Sequence, residues 1–600
     1  MSENLNSVVA NIVIDGKKVS FLSLKLEQEF NSHHKFELFF DYRTFENRWM
    51  EAPEKLFALL NTEVVINLLH KETGEENLFV GIVQNVSYVG HAGVSNQICI
   101  SGKSPTVLLE SLPTMNSFVN KSLGDIVTEV VEYSGNGAVV KVNPVFSSNI
   151  DYLCQYRESC FSFLNRLSEL YGEWFYYDGR DILFGKPNKQ ETIDLTYNSS
   201  LSDMEIDVVS IPSAFKVYAY LVHESSDVTH VSQDDDVDVV GYAKTALNSS
   251  SSLYKFIGTM PMDTPISSKG DMEQLVKVEK NRLVGKMLLA KGKSFVCNIS
   301  IGKIVRLKLP KNMGTLKTDI DSFFVQKVIH FINGAGEYHN EFVAYVSDIE
   351  NIPIMQSCPN ITPVSELATV VDNEDSKGRV KVQMLWQKAL DKKTNWVRVL
   401  SPDAGTSEKG PRGSVFVPEV GDQVVVGYMN GNPSLPFVTL SLFPENIATG
   451  GGKGNRSKTL TTRSGSSLKL DDSTGSVRLQ DPGKSSVDMD GSGAITIDSS
   501  DTIKLICGSS SIELKNDGKV LFNGKELDSQ FETKIEETTK NHTITGTDAV
   551  KLNSDTLIEG KAAKVSVQAD NQVEVKGANS VDIESPATTN IKGKSSINLN

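Results

Sequence analysis

The C-terminal part of the chain carries a regular alternation. Apolar pairs stand at Val565/Val567, Val573/Val575, Val581/Ile583 and Ile597/Leu599, eight residues apart, with Thr589/Ile591 holding the missing beat. One polar residue separates the members of each pair, which is the period of a strand and not of a helix. Upstream, Leu468/Leu470, Val477/Leu479, Val487/Met489, Ile495/Ile497, Ile503/Leu505, Ile512/Leu514 and Val520/Phe522 continue the pattern at eight to ten residues per unit. Asp472-Ser473-Thr474-Gly475, Asp481-Pro482-Gly483 and Asn516-Asp517-Gly518 supply turns between them. Such a fixed period marks a stacked repeat. Two aliphatic side chains cannot offset the entropy of ordering an eight-residue unit, so each strand must stack on others. Two architectures fit: a single-chain solenoid with three faces, or three chains each supplying one face of a triangular prism. The spacing leaves both open. A disordered polar tail would not keep aliphatic pairs in register. Between Lys525 and Leu557 the register blurs, predicting a bulge, a loop or a short helical piece.

The front half reads differently. Val8–Ile14, Val19–Leu26, Phe36–Tyr42, Val64–Leu69, Leu78–Val89 and Gln97–Ser101 read as strands, with Asp15-Gly16 as a hairpin turn. Helices are predicted at Leu123–Tyr133 and near Asp271–Leu289. Phe161, Leu164, Leu167 and Leu170/Tyr171 recur at helical spacing, with Ser159 placed to cap the helix and Gly172 to stop it. Trp174–Tyr177 then reads as a strand, turned by Asp178-Gly179 into Ile182–Phe184. Pro353 to Pro363 looks like a boundary. Beyond it, Ala368–Val371, Arg379–Met384, Trp396–Leu400, Gly413–Val417 and Gln423–Tyr428 are the strands of a small OB-type barrel. Gly450 to Lys458 is too polar to pack and reads as linker. The expected division is 1–360, a hub-like region of two or more subdomains; 364–445, the OB barrel; 446–465, linker; and 466–600, the repeat.

At 600 residues the chain is too long for one core. Its net charge of −15 argues against nucleic-acid binding, which needs a basic face. From Gly451 onward 19 basic residues meet 21 acidic ones, so most of the negative charge lies in front of the repeat. No apolar stretch is long enough to span a membrane. The first residues, Met1 to Asn6, lack the basic and apolar regions of a secretory signal, so none is expected. Cys99, Cys154, Cys160, Cys297, Cys358 and Cys507 are scattered and suit free thiols in a reducing compartment.

The barrel carries Val370-Val-Asp-Asn373, Gly378-Arg379-Val-Lys-Val, Trp396-Val-Arg398-Val, Val417-Pro418-Glu419-Val420-Gly421-Asp422-Gln423-Val424, Gly431-Asn432-Pro433 and Pro436-Phe437-Val438. This set resembles the OB domain of the VgrG family, the spike proteins of type VI secretion systems. Gln155-Tyr-Arg-Glu-Ser159, Phe163-Leu-Asn-Arg-Leu167 and Tyr171-Gly-Glu-Trp174 resemble its hub domain, and the repeat resembles its triple-stranded β-prism, in the same order. The resemblance implies a mainly β, multidomain chain: phage-hub-like α+β and β-barrel domains, an OB barrel and an intertwined β-prism. It also implies a homotrimer that docks on Hcp-type tube rings within a baseplate, carries effectors and receives a PAAR-repeat tip protein. Such proteins are loaded in the cytoplasm and driven out by sheath contraction. Phage relatives carry a lysozyme domain between barrel and prism. Phe443 reaches Ser466 through too short a linker for one, and no toxin domain is expected beyond Asn600. Tip docking is expected at Ile597, Leu599 and Asn600. The spike of an extracellular contractile injection particle, and a β-solenoid adhesin or glycan-active protein, are the alternatives. The last would need carboxylate pairs or aromatics along the repeat, where only Phe522 and Phe531 occur.

The sequence shows none of the common catalytic, phosphate-binding or metal-binding motifs. His33-His34 and His223/His230 lack metal-ligand spacing. A nucleophile elbow and a phosphate-binding loop are absent. Asp234-Asp235-Asp236-Val237-Asp238 lacks the glycine and terminal Glu of a calcium loop and reads as a solvated acidic loop. Cys160 on a packing helix reads as a buried small residue. No basic, aromatic stripe marks the barrel as a nucleic-acid site. The expectation is a mechanical protein with no catalytic residues, no cofactor and no metal.

Overall fold

The computed structural model describes residues 7–41, 53–90, 97–187, 190–221, 226–310, 319–351, 361–408, 410–445 and 450–598. The chain separates into two compact units, 1–448 and 449–600. The prolines at 353 and 359, Cys358, His223, Leu599 and Asn600 lie outside the described residues.

The first unit opens with β1 (Val8–Ile14), β2 (Lys17–Val19), β3 (Ser23–Glu29), β4 (Lys35–Asp41), β5 (Glu63–His70), β6 (Glu76–Val89) and β7 (Gln97–Lys103). Asp15 and Gly16 both hold positive φ (48° and 71°), the geometry of a tight hairpin turn, as the sequence predicts. The strand expected at Val19–Leu26 is two strands: β2 pairs β1, and β3 pairs β4.

Next come β8 (Thr114–Lys121), β9 (Val140–Val142), β10 (Ile150–Glu158), β11 (Phe175–Tyr177) and β12 (Ile182–Phe184), then β13 (Thr192–Thr196) and β14 (Leu201–Val208). An insertion follows, with β15 (Phe215–Leu221), β16 (Ser226–Val231), a helix at Gly241–Leu253, β17 (Gly258–Pro261) and a helix at Lys269–Gly285. The region ends with β18 (Leu288–Ser294), β19 (Ile304–Lys308), β20 (Asp319–Asn333) and β21 (Tyr338–Val346).

The sheet order reveals a duplication that the sequence hides. Strands of the first half run β1-β5-β6-β7-β4-β3, and strands of the second run β13-β19-β20-β21-β18-β14. In each, the longest strand carries a bulge against its next neighbour: β6 between Val83 and Asn85, β20 between Val325 and Lys327. The halves differ in that β1 pairs β5 antiparallel, whereas β13 pairs β19 parallel. Each half has its own apolar core, one around Leu38, Ile66, Phe79 and Ile100, the other around Leu195, Val305, Phe323 and Phe342. A ladder between β3 and β20, from Glu29↔Lys327 to Ser23↔Asn333, joins them into one sheet.

The predicted helix runs Cys160–Tyr171. Ser159 Oγ accepts from Ser162 N at 3.1 Å, and Gly172 takes the left-handed conformation (φ 75°). A side chain at Gly172 would also meet Val278 at 2.5 Å, so the stop is steric as well. Trp174 to Tyr177 are all buried.

One expectation is corrected in the insertion. The acidic run is not simply solvated: Asp234–Asp236 form a short 3-10 turn, and Asp234 Oδ1 accepts from Lys280 Nζ at 2.7 Å. Lys280 is fully buried and also donates to Ser213 O at 3.0 Å. A buried ammonium needs such a partner.

The barrel contains β22 (Glu366–Asp372), β23 (Lys381–Met384), β24 (Ala404–Ser407), β25 (Gly410–Gly413), β26 (Gln423–Tyr428) and β27 (Pro436–Leu442). Its sheet order is β23-β22-β26-β27, around Val370, Val382, Val424, Val426 and Val438. Trp396–Leu400, expected as a strand, contributes only the bridges Val380↔Val397 and Val399↔Val438. Gly413–Val417 is not the expected strand. The hairpin β24–β25 ends at Gly413, and Ser414 instead bonds to Asp403 O and Ser401 Oγ.

The second unit starts with β28 (Ser457–Thr461), inside the stretch expected to be linker, then β29 (Ser467–Asp471), β30 (Ser476–Gln480), β31 (Ser486–Met489) and β32 (Ile495–Asp498). These form one antiparallel meander. β33 (Thr502–Cys507), β34 (Ser510–Lys515) and β35 (Val520–Asn523) form a second. All the upstream apolar pairs fall on these strands. The strands expected at Val565/Val567 and beyond are not hydrogen-bonded within the chain: among the described residues after Asn523 there is no ladder. A strand needs a neighbour, and the short units there turn without meeting one in the same chain.

Candidate functional site

Cross-strand register sorts the tail's side chains onto two faces. In the first meander, Leu460, Leu468, Leu479, Val487 and Ile497 lie opposite one another in a row. Leu470, Val477, Met489 and Ile495 form a second row beside it, on the same face, with Lys458 at its edge opposite Leu470. The other face carries Thr459, Lys469, Arg478, Asp488 and Thr496. The second meander repeats the scheme, with Ile503–Leu514–Val520 and Leu505–Ile512–Phe522. Neither apolar face is covered. Ser486 is the one buried residue among those described from 450 to 598. Beyond the strands, Val565, Val567, Val573, Val575, Val581, Ile583 and Ile591 are exposed as well. Ile597 is 46% exposed. An exposed apolar surface on this scale is of the kind that marks an interaction site.

A second construction joins hub and barrel. The motif Gln155–Ser159 ends β10 and leads into the helix, where Arg166 of that helix pairs with Glu158 (Nη2 to Oε1, 2.6 Å). β10 and β8 present their other face to the barrel. Gln387 donates to Ser117 Oγ at 2.8 Å, and Ser434 Oγ accepts from Cys154 N at 3.1 Å. Lys392 Nζ reaches Asn116 Oδ1 (2.6 Å), Ser117 O (3.0 Å) and Glu129 Oε1 (2.7 Å). Burial pushes the Glu129 carboxyl up, but the Lys121 and Lys392 ammoniums outweigh it and hold the group below its usual range. Tyr156 meets Tyr428 edge to face at 6.2 Å. Sequence reasoning singled out Glu158 and Arg166 only as parts of a motif. Lys392 carried no local signal, because its partners lie far away in the chain.

The other residues considered for chemistry fall apart in space. His33 contacts Thr106 and Glu110. His34 is fully buried beside Phe79 and Tyr177, and burial pushes its ring down to about 3. Cys154 and Cys160 are buried, and burial raises both thiols, the opposite of an activated nucleophile. Among the described residues no group of three or more His, Cys, Asp or Glu is placed to hold a metal ion. None of the described helices is long and apolar enough to cross a membrane.

Comparison with known proteins adds to this picture. Residues 54–333 match the phage tail baseplate hub (GPD) family. Residues 366–443 match the type VI secretion system/phage-baseplate injector OB domain. The chain is 22% identical over 454 residues to the type VI secretion system spike protein VgrG1c of Pseudomonas aeruginosa, covering 68% of this chain and 60% of that one. It is 40% identical over 72 residues to VgrG5 of the same organism, 12% of this chain and 9% of the relative. The chain thus spans less than two thirds of the relatives it matches. Among solved structures, an Escherichia coli type VI secretion component, c3393, described as similar to phage T4 tail proteins gp27 and gp5, aligns with a TM-score of 0.44 at 13% identity, over 72% of this chain and 99% of that one. A Francisella PdpA–VgrG complex aligns with a TM-score of 0.47 at 8% identity, over 86% and 87%. A baseplate hub family and an injector OB-domain family thus match successive stretches of the chain, and VgrG spike proteins of type VI secretion systems are among the proteins it is similar to.

Proposed function

We propose that this protein is the homotrimeric hub and puncturing spike of a type VI contractile injection machine. The observation that carries the reading is the tail: two meanders, each with a face that is apolar but for Lys458 at one edge, and almost no buried residue of their own. Three identical tails that close these faces on one another bury both rows at once. They also give the units after Asn523 the strand neighbours they lack. The result is a stiff rod, and stiffness is what a puncturing part needs.

In this reading the protein catalyses nothing and takes no cofactor. The sheath supplies force, the duplicated hub docks on an Hcp-type tube within the baseplate, and effectors travel with the complex. Family resemblance assigns a PAAR-type tip protein to the last repeats, at Ile597, Leu599 and Asn600. The protein is loaded in the cytoplasm and leaves by contraction.

The deciding measurement is the solution mass of the full chain by light scattering after size exclusion, repeated in mild denaturant. The expected mass is three times 65.8 kDa. A monomer at micromolar concentration would overturn the proposal and favour a tail that coils on itself.

A further inference from the structure

Lys392 is the point at which the barrel grips the hub. Its backbone is held from both sides: N donates to Gln387 O at 3.0 Å, and the carbonyl accepts from Gln383 Nε2 at 2.9 Å. Asn116 is equally fixed, on β8 opposite Gln155 of β10, and is 1% exposed. Lys392 Nζ lies 2.6 Å from Asn116 Oδ1 and 2.7 Å from Glu129 Oε1. A carbonyl bond is about 1.2 Å long, so Nζ stands within about 3.8 Å of Asn116 Cγ. Asn116 Oδ1 also accepts from Ser117 N at 2.8 Å, which polarises the carbonyl. Lys121 holds the second oxygen of Glu129, and the Phe118 ring lies 4.7 Å from Lys392 Nζ. The other contact between a lysine ammonium and an asparagine amide oxygen among the described residues, Lys18 to Asn11 at 3.0 Å, is exposed and has no such carboxylate.

We propose that Lys392 and Asn116 join in an isopeptide bond within the folded chain. An amine, an amide carbon and a proton-carrying carboxylate are held together there, and the reaction needs no other component. The Lys392 ammonium passes a proton to the Glu129 carboxylate. The freed amine adds to Asn116 Cγ, and the carbonyl electrons move to Oδ1, where the Ser117 N–H meets the charge. Glu129 gives its proton to Nδ2, the Cγ–Nδ2 bond breaks as the carbonyl re-forms, and ammonia leaves. Glu129 then takes the surplus proton from the Lys392 nitrogen and hands it to the ammonia, which departs as ammonium. The carboxylate is restored, and nothing is oxidised or reduced. The bond joins residues 276 apart in the chain. It makes the contact between barrel and hub covalent, so a load on the barrel cannot peel it away.

The test is intact mass and peptide mapping of the full-length protein after prolonged warm incubation. The expected mass is that of the sequence less one ammonia, with the Asn116 and Lys392 peptides recovered as one branched species. The full sequence mass, with the two peptides separate, overturns the proposal. Lys392→Arg keeps the charge but removes the amine, and is expected to keep its full mass and separate peptides. The same deficit in that variant places the loss elsewhere and overturns the assignment. Glu129→Gln is expected to slow the joining at least tenfold, and an unchanged rate removes Glu129 from the step. The bond lies within one chain, so the result is read alike in a trimer or a monomer.

Discussion

Arg166 holds Glu158 from two sides of its guanidinium. Nε lies 3.1 Å from Oε2 and Nη2 2.6 Å from Oε1, and Nη2 also donates to the carbonyl of Cys154 at 2.8 Å. Both side chains are nearly buried, at 12% and 8% exposure. The pair ties the end of β10 to the helix behind it, and β10 is the strand against which the barrel packs. Arg166→Ala would leave a buried carboxylate unpaired and is expected to cost about 3–5 kcal/mol of hub stability. Replacing both partners by apolar residues should cost clearly less. Urea unfolding of the two variants checks this, and equal losses would contradict it.

Acid should loosen the hub through buried histidines. His330 lies at the join of the halves, with Nδ1 2.7 Å from Tyr338 Oη and Nε2 3.3 Å from Gln28 Oε1. Burial pushes both His330 and His34 from 6.5 down to about 3. Between these values the unfolded chain binds the proton and the folded chain does not. Stability is therefore complete above about pH 6.5 and lost as pH falls toward 3, by up to about 1.4 kcal/mol per pH unit for each histidine. The thermal midpoint at pH 7.5 and pH 5 should differ more in the natural protein than in His330→Gln.

The two tail faces should answer differently to substitution. Leu479 sits in the middle of an apolar row between Leu468 and Val487, while Arg478 lies on the opposite face. Leu479→Asp is expected to abolish association, and Arg478→Ser to leave the mass unchanged. Light scattering on both variants decides the point.

Turn glycines in the tail give a finer test. A Cβ on Gly577 would fall 2.1 Å from Ser580 O and 3.2 Å from Val581 Cγ2, whereas one on Gly560 would meet nothing within 4 Å. Gly577→Ala should lower the urea midpoint of the assembled protein and Gly560→Ala should not. Equal midpoints would mean that the turn at 577 relaxes freely.

What could be read from the sequence was local. Asp15-Gly16, Ser159 and Gly172 announce a turn, a cap and a stop, because each acts within a few residues. The tail strands to Phe522 were legible for the same reason. Lys280 was not, because what makes it structural is Asp234, brought to it by folding. The duplicated sheet order was hidden too. It resides in which strands lie side by side, and similar alternation is common to unrelated strands. The exposed Leu440 was invisible because Thr439 is an extra residue in β27, between Val438, which faces Val426, and Leu440, which faces Val425, and this bulge turns Leu440 outward. The missing ladder after Asn523 is the reverse case: the strand period is plain, but no strand pairing forms among the described residues there.

The ladder between β3 and β20 has a consequence in time. Glu29 and Lys327, which begin it, are 298 residues apart in the chain. At about 5–20 residues per second, a ribosome needs roughly 15–60 s to make that interval. Throughout it the first half of the hub waits with the outer edge of β3 bare, a template for any passing strand. Synthesis of this protein thus includes a pause in which its earliest-made half can pair wrongly, and slower translation lengthens that exposure.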